Sequence, residues 1–160
     1  MAPRNTPPRR RSAFSLIELV IVVVIIGIIA AIAIPKMSRG SAGAADSTLV
    51  ANLRVLRNAI DLFYIEHANT YPATATIAAQ LLTYTDDAGA AQAAKDATHI
   101  FGPYIRAIPT LPVGAAKGNV NIAAAPGAGV GWIYDPVAGT IVSNTTAAEK
   151  DARNVLYSSY

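Results

Sequence analysis

Glu18 is the residue best placed to do chemistry in this chain of 160 residues, because it is the one charged side chain within an apolar run from Phe14 to Ile34. A carboxylate inside a membrane helix costs roughly 2.5 kcal/mol or more near the bilayer centre and less near an edge, so such a group usually has a partner and a function. Glu18 lies near one end of the run. We therefore expect a partner for its carboxylate at the edge of a membrane.

The apolar run is the element that must position Glu18. At about 1.5 Å per residue, a helix over residues 14–34 spans about 30 Å, which is the thickness of the hydrocarbon core of a bilayer. Arg4 and the run Arg9–Arg11 precede it, with no acidic residue before Glu18. This excess of positive charge predicts a cytoplasmic N-terminus and a C-terminal part on the outer side of the membrane.

The residues around Glu18 carry a resemblance to a known family. A basic leader, a small residue, F-S-L-I-E and an apolar helix resemble the class III signal of type IV pilins and of type II secretion pseudopilins. The resemblance implies that a prepilin peptidase cleaves between Ala13 and Phe14, that the new amine of Phe14 is methylated, and that Glu18 pairs with an N-terminal amine during filament assembly. The family usually has Gly where this chain has Ala13, which is small enough for cleavage at a slower rate.

Electrostatics supports the pairing of Glu18 independently of the resemblance. Cleavage before Phe14 creates a positive amine at about the depth of Glu18. An opposite charge within a few ångströms offsets much of the cost of burying a carboxylate. A subunit that arrives with an unpaired Glu18 is therefore expected to dock on the amine of a neighbour already in the filament.

Two alternative interpretations of the N-terminus remain open. Ala31-Ile32-Ala33 fits the pattern of the general signal peptidase, whose cut would release a soluble protein that begins at Ile34. Against this, the apolar run is longer than the usual length of about 7 to 15 residues in such signals. The second alternative is a plain single-pass anchor with no role in assembly. Neither accounts for the motif around Glu18.

The charge of the chain must be considered without its leader. Four of the 13 basic residues lie in residues 1–13, which leaves nine basic against ten acidic residues, a net charge of −1. No basic patch with interleaved aromatic residues remains, so we expect no nucleic-acid partner. The chain also lacks a phosphate-binding loop, a nucleophile elbow and paired carboxylates, and we expect no enzymatic activity.

Metal sites are not expected either. The chain has two histidines, His67 and His99, and no Cys, which provides no zinc motif. Major pseudopilins bind calcium in a C-terminal loop with several Asp residues, and calcium is implied here only by that resemblance. The acidic residues after position 117 are few and scattered, namely Asp135, Glu149 and Asp151. We therefore expect no cofactor.

Gly27 and Pro35 are the predicted helix breaks of the N-terminal segment. Gly in a helix interior costs about 1 kcal/mol relative to Ala, and Pro removes a backbone hydrogen bond. The resemblance implies that the segment between them unwinds when subunits pack into a filament. The alternative is a simple kink at the membrane surface.

A second helical pattern follows Pro35. Apolar residues recur at spacings of 4, 3, 4 and 3, which predicts an amphipathic helix with a stripe formed by Leu49, Leu53, Leu56, Ile60 and Phe63. We expect the helix to end near residue 68, because Pro72 disfavours helical geometry at the preceding residue. The stretch HANTYP, residues 67–72, resembles the turn that ends this helix in major pseudopilins.

The sequence pattern is less informative from residue 69 to residue 118, and we predict a variable loop region there. Short helices are predicted over Ile77–Tyr84, with Thr76 as its cap, and over Ala90–Thr98. The segment YIRAIP, residues 104–109, resembles a proline-containing segment of major pseudopilins.

Short β-branched stretches predict a three-stranded antiparallel sheet within residues 119–143. The predicted strands are Val120–Ile122, Val130–Tyr134 and Thr140–Ser143. Trp132 is expected to pack against the amphipathic helix. In the tail, residues 144–160, the spacing of Thr146 and Glu149 predicts a capping box and a short helix.

The expected fold is α+β and pilin-like: a long N-terminal helix, half transmembrane and half amphipathic, packed on a small C-terminal antiparallel sheet. Residues 1–13 form the leader, 14–35 the transmembrane and assembly helix, and 36–160 a periplasmic domain. Without disulfides, that domain depends on its core for stability.

The resemblance implies a structural subunit of a periplasmic pseudopilus that drives export through a type II secretion system. Its expected partners are other copies in a helical filament, minor pseudopilins, the prepilin peptidase, the inner-membrane assembly platform and membrane lipid. The alternative is a subunit of a type IV or competence pilus for adhesion, motility or DNA uptake. The lack of Cys and the HANTYP and YIRAIP stretches favour the pseudopilin, and Glu18 argues against the tip subunit.

Overall fold

A computed structural model describes residues 15–160, apart from the side chains at positions 34, 35 and 37–41. The chain divides into two compact units after Arg39. The first unit holds the N-terminal part of helix α1 (Leu16–Glu66), and the second, the globular unit, holds the rest of α1 and the other elements.

Helix α1 ends where the sequence predicts. After Glu66 the backbone of Ala68 and Asn69 is left-handed, with φ values of 51° and 60°. The amide of Asn69 donates to the carbonyl of Tyr64 at 3.0 Å, which satisfies one of the carbonyls that a helix end leaves free. The HANTYP stretch therefore terminates the helix by its backbone conformation, upstream of Pro72.

Gly27 and Pro35 both lie inside α1, which is helical through each of them in the single chain. Since the structure contains no filament, the unwinding between them on assembly stays a prediction.

The apolar stripe predicted on the second half of α1 forms one side of the core. Its five residues from Leu49 to Phe63 are at most 2 % exposed. They belong to one buried cluster with residues of the sheet and loops, namely Ile77, Leu81, Leu111, Trp132, Tyr134 and Ile141. The expectation that Trp132 packs with the helix is thereby confirmed.

The region after α1 contains one of the two predicted helices. Helix α2 (Ile77–Leu82) begins after Thr76, but the Thr76 side chain makes no capping hydrogen bond. The second predicted helix, Ala90–Thr98, is wrong, because strands β1 (Tyr84–Thr85) and β2 (Ala91–Gln92) form an antiparallel hairpin there. The Asp86 carboxylate accepts hydrogen bonds from the amides of Ala88 and Ala90 at 3.0 and 2.8 Å, which fixes the turn.

The C-terminal sheet has three strands, as predicted, but it is mixed. Strands β4 (Val130–Asp135) and β5 (Thr140–Ser143) are antiparallel, whereas β3 (Asn121–Ala123) pairs parallel to β4. The prediction of a fully antiparallel sheet is therefore wrong. A parallel pair requires the chain to return from the end of β3 to the level of its first residue before β4 begins. Because β3 is only three residues long, the Ala-, Pro- and Gly-rich residues 124–129 suffice for this return.

The tail contains no helix at the predicted capping box. Glu149 does accept the amide of Thr146 at 2.7 Å, which is half of such a box. Its other oxygen accepts the amide of Ala115 at 2.6 Å, so the carboxylate joins two loops. The helical turn of the tail is instead a 3-10 turn at Tyr157–Ser159.

Gly139 is expected to be intolerant of substitution. Its φ is +67°, and a Cβ there would overlap the ring of Tyr71, so Gly139→Ala should lower the free energy of unfolding by about 1–3 kcal/mol. Gly118→Ala is the matched control, because Gly118 has a φ of +92° and nothing within 4 Å of a Cβ. Thermal unfolding of the full chain in detergent micelles, followed by near-ultraviolet circular dichroism, compares the two. Equal losses would show that overlap with Tyr71 has no effect.

Candidate assembly site

The N-terminal part of α1 is apolar on all of its sides and covered on none of them. Residues Leu16–Ala33 have a mean hydropathy of 3.2, and none of this 18-residue segment is buried. Its length and composition suit a membrane crossing. The large side chains of the segment, from Leu16 to Ile32, are all at least 44 % exposed. This apolar surface therefore requires contact with lipid or with another protein.

Glu18 lies in the first turn of α1 with its side chain exposed. Its amide donates to the carbonyl of Ser15 at 3.1 Å. A carboxylate in the first turn interacts favourably with the positive end of the helix dipole. Within residues 15–160 the side chain of Glu18 has no ion-pair partner. The predicted cleavage site, Ala13 and Phe14, lies outside the described residues.

The two predicted helix breaks flank the end of this surface. A Cβ at Gly27 would meet nothing within 4 Å, so no neighbouring group of the chain requires Gly there. Pro35 lies in the helix beyond the apolar segment. Glu18 and the apolar surface around it are thus the part of the predicted site that the structure brings together.

A second cluster of polar residues closes the tail of the globular unit. We call it the tail clasp, and its members are Asp46, Asp151, Arg153, Tyr157 and Tyr160. Asp46 on α1 is 8 % exposed. Its carboxylate accepts the amide of Ala152 at 2.9 Å and the hydroxyl of Tyr157 at 2.7 Å. These hydrogen bonds fasten the tail to α1.

Asp151 organises the rest of the clasp. One carboxylate oxygen accepts the amides of Arg153 and Val155 at 2.8 and 2.7 Å. The other accepts the Arg153 guanidinium at 3.0 Å and the Tyr160 hydroxyl. These donors, with Tyr160 first, lower the pKa of Asp151 to about 2. Burial, and then the hydrogen bond to Asp46, raises the pKa of Tyr157 to about 12.

Sequence reasoning treated Asp151 only as a scattered acid and missed the clasp. The spacing of Asp151, Arg153 and Val155 would have indicated an Asx turn, since Asp side chains bind amides two residues onward. The contacts with Asp46 carry no local signal, because they join residues more than 100 positions apart.

The two histidines lie in different environments. His67 is buried and stacks on Phe63 with ring centroids 3.8 Å apart, and its Nδ1 donates a hydrogen bond to the carbonyl of Phe63 at 2.8 Å. His99 contacts the Asp96 carboxylate at 3.0 Å. In the part of the chain that the structure describes, no three His, Cys, Asp or Glu residues are grouped to hold a metal ion.

Acid is expected to loosen the tail clasp. The pKa of Asp151 is about 2 in the folded chain against an ordinary value of 3.8, so this carboxylate stabilises the fold above about pH 4 and ceases to do so as the pH falls towards 2. The midpoint of thermal unfolding of the full chain in detergent should therefore fall across this window. Asp151→Asn should unfold at a lower temperature at neutral pH and show a shallower decline in acid.

The exposed Asp87 provides the control for this titration. Asp87→Asn should retain the acid dependence of the unsubstituted chain. If Asp151→Asn retained it as well, the clasp would not be the source of the acid sensitivity.

Comparison with known proteins identifies one feature. Residues 8–34 match the prokaryotic N-terminal methylation motif. The match includes the predicted cleavage site, Glu18 and the whole exposed apolar segment. Neither the curated proteins nor the solved structures contain a match to the chain.

Proposed function

We propose that this chain is a type IV pilin-like protein, and specifically a structural subunit of a periplasmic pseudopilus that drives protein export through a type II secretion system. The match of residues 8–34 to the prokaryotic N-terminal methylation motif supports this proposal. A prepilin peptidase cleaves it between Ala13 and Phe14, and the new N-terminus is methylated. The subunit then assembles through its N-terminal helix. It acts without catalysis of its own and without a cofactor.

The observation that carries this proposal is the position of Glu18 within the methylation motif. The carboxylate lies in the first turn of a helix whose apolar side chains are exposed. In lipid such a carboxylate is costly, and a positive amine at the same depth removes much of that cost. Since cleavage before Phe14 creates that amine in every subunit, a row of subunits can pair Glu18 of one with the N-terminus of another.

A further apolar stripe on α1 supports assembly through helix packing. Within the globular unit, Val55, Leu62 and Ile65 are 47 %, 50 % and 71 % exposed. Their spacings of 7 and 3 place them on one face of the helix. In residues 15–160 no element covers that face. A second copy of the chain in the filament is the partner that we assign to it.

The arginine-rich leader supports an inner-membrane location with a cytoplasmic N-terminus and a periplasmic globular unit. Minor pseudopilins, the prepilin peptidase and the assembly platform of the inner membrane are the other partners that the proposal requires.

Two loop segments favour a pseudopilin over a pilus subunit. Both resemble segments of major pseudopilins, and both bind the buried strand β4. In HANTYP, the carbonyl of Pro72 accepts the hydroxyl of Tyr134 at 3.0 Å. In YIRAIP, the carbonyl of Pro109 accepts the indole of Trp132 at 2.8 Å. Many type IV pilins hold the tail with a disulfide. This chain has no Cys, and the tail clasp holds its tail instead.

The first test is the intact mass and N-terminal sequence of the protein extracted from its own membranes, with and without the prepilin peptidase. We expect a mature chain that begins at methylated Phe14 and accumulates uncut when the peptidase is absent. A start at Ile34, or an uncut Met1 in the presence of the peptidase, would contradict the proposal.

A second test separates the secretion system from a surface pilus. Loss of the subunit should leave exported proteins trapped in the periplasm while cell-surface filaments remain. Loss of adhesion, motility or DNA uptake with normal export would instead identify a pilus subunit.

A further inference from the structure

Two buried polar atoms of the globular unit make no hydrogen bond with any group of residues 15–160. They are Nε2 of His67, which follows the last residue of α1, and Oγ1 of Thr85 in strand β1. His67 is 3 % exposed and Thr85 is 0 % exposed. A buried polar group without a partner lowers stability, and the large majority of such groups in folded proteins are hydrogen-bonded. Each of these two atoms therefore requires a partner.

The imidazole of His67 presents a hydrogen-bond acceptor to the interior. Its Nδ1 bonds the carbonyl of Phe63 at 2.8 Å. Because a carbonyl can only accept, Nδ1 carries the hydrogen atom, and Nε2 of the neutral ring is an acceptor. A Cβ at Gly89 would lie 3.8 Å from Cδ2 of His67, the carbon bonded to Nε2. The unbonded nitrogen therefore borders the turn that joins β1 to β2.

Phe101 shows that the Thr85 hydroxyl belongs to the same region. Thr85 and Phe101 exchange two backbone hydrogen bonds, of 3.1 and 3.2 Å, as an antiparallel pair. Residues directly opposite each other in such a pair have their side chains on one face, with Cβ atoms about 5 Å apart. The Phe101 ring in turn packs edge-on against the ring of His67, with centroids 5.1 Å apart. Thr85 and His67 thus contact the same aromatic side chain.

Neighbouring side chains with donor groups bond elsewhere. The Gln80 amide donates to the carbonyl of Gly89 at 2.9 Å. The Tyr104 hydroxyl donates to the Glu66 carboxylate at 2.6 Å. What remains is an imidazole nitrogen that accepts and a hydroxyl that both donates and accepts. A small molecule that donates to the first and bonds the second satisfies both.

We infer that one buried water molecule bridges Nε2 of His67 and the hydroxyl of Thr85. The water donates one hydrogen atom to the imidazole and bonds the hydroxyl through its oxygen or its second hydrogen atom. Buried waters in proteins typically make two to four such bonds to polar groups that have no other partner. The bridge joins the hairpin of β1 and β2 to the residue after α1, so the two move as one body.

Thr85→Val tests the bridge through the sign of its effect on stability, since Val preserves the shape of Thr without the hydroxyl. With the bridge, the substitution removes a hydrogen bond and leaves the water or the imidazole unsatisfied. The folding equilibrium constant should then fall about fivefold or more. Without the bridge, Val removes a buried hydroxyl that has no partner, and the constant should rise. Urea titration of the full chain in detergent micelles measures the change, and an unchanged or larger constant would overturn the inference.

A double-mutant cycle tests whether the two side chains share the bridge. His67→Phe removes Nε2 and retains an aromatic ring, so Thr85→Val should cost more than about twofold less in that background. Thr83→Val is the matched control, because the Thr83 hydroxyl bonds the carbonyl of Ala79 at 2.8 Å. Its cost should be the same in both backgrounds. Strictly additive effects of the substitutions at positions 67 and 85 would contradict a shared partner.

Oxygen-17 relaxation dispersion detects the water itself, without a contribution from exchanging hydroxyl protons. We expect the unsubstituted chain in micelles to hold a long-lived water that Thr85→Val loses and Thr83→Val retains. Identical dispersions for the unsubstituted chain and Thr85→Val would overturn the inference, even if Thr85→Val were less stable. A direct bond between the two side chains would give that combination of results.

Discussion

Glu18→Ala is expected to lower the yield of filaments about tenfold or more while the chain still inserts in the membrane. An unpaired carboxylate is unfavourable in lipid, so its removal stabilises the unassembled subunit. The same substitution removes the attraction that we propose to the N-terminal amine of a neighbour. At an effective dielectric constant of 20, such an attraction is worth about 4 kcal/mol at 4 Å before desolvation is subtracted. Both effects oppose assembly. The measurement is the fraction of mature chain in filaments sheared from cells and sedimented.

Two further variants at position 18 separate charge from size. Glu18→Gln preserves the shape of the side chain without the charge and should fail as Glu18→Ala does. Glu18→Asp retains the charge on a shorter side chain and should assemble partially. Normal assembly of Glu18→Gln would contradict the electrostatic mechanism, even if Glu18→Ala were defective.

Trp132→Ala is expected to cause the largest loss of stability in the globular unit, about 3–5 kcal/mol. Trp132 is fully buried in the core cluster that also contains residues of α1 and the loops, and its indole donates to the carbonyl of Pro109. The substitution leaves a cavity and an unsatisfied buried carbonyl. Folded domains are stable by only about 5–15 kcal/mol, so the variant should be largely unfolded at moderate urea concentration. Urea titration of the full chain in detergent, followed by circular dichroism, measures the change.

Trp132→Phe is the control for the cavity. It retains most of the apolar volume and loses the hydrogen bond, so its loss of stability should be well below that of Trp132→Ala. If the two variants were equally unstable, the hydrogen bond to Pro109 would outweigh the packing of the ring. A loss below about 1 kcal/mol for Trp132→Ala would show that the strand does not depend on this side chain.

The elements with a strong local pattern could be predicted from the sequence. The buried stripe of α1 has an unbroken helical period, and β4 and β5 are β-branched stretches around a Pro- and Gly-containing turn. The parallel pairing of β3 could not be predicted, because strand direction depends on contacts between separate segments. Strand β2 lies in the segment predicted as helix, because the sequence from Ala90 is Ala-rich and favours helix. The turn at Asp86 instead directs this segment into a hairpin with β1.

The residues of the candidate site likewise differ in how far the sequence alone predicts them. The prediction that Glu18 has a function follows from the presence of one charge in an apolar run, which requires no knowledge of the fold. The exposed stripe of Val55, Leu62 and Ile65 has a weaker pattern in the sequence than the buried stripe, because only three large apolar residues mark that face of α1.

The tail clasp also determines when, during synthesis of the chain, the globular unit can complete its fold. Asp46 binds Ala152 and Tyr157 across 106 and 111 residues of chain, and Arg57 binds Tyr160 across 103. Contacts of such long range form late and make folding slow, because the loop between them must close first. The clasp cannot form until residues 151–160 have left the ribosome. The synthesis of α1 therefore precedes the completed fold of the globular unit.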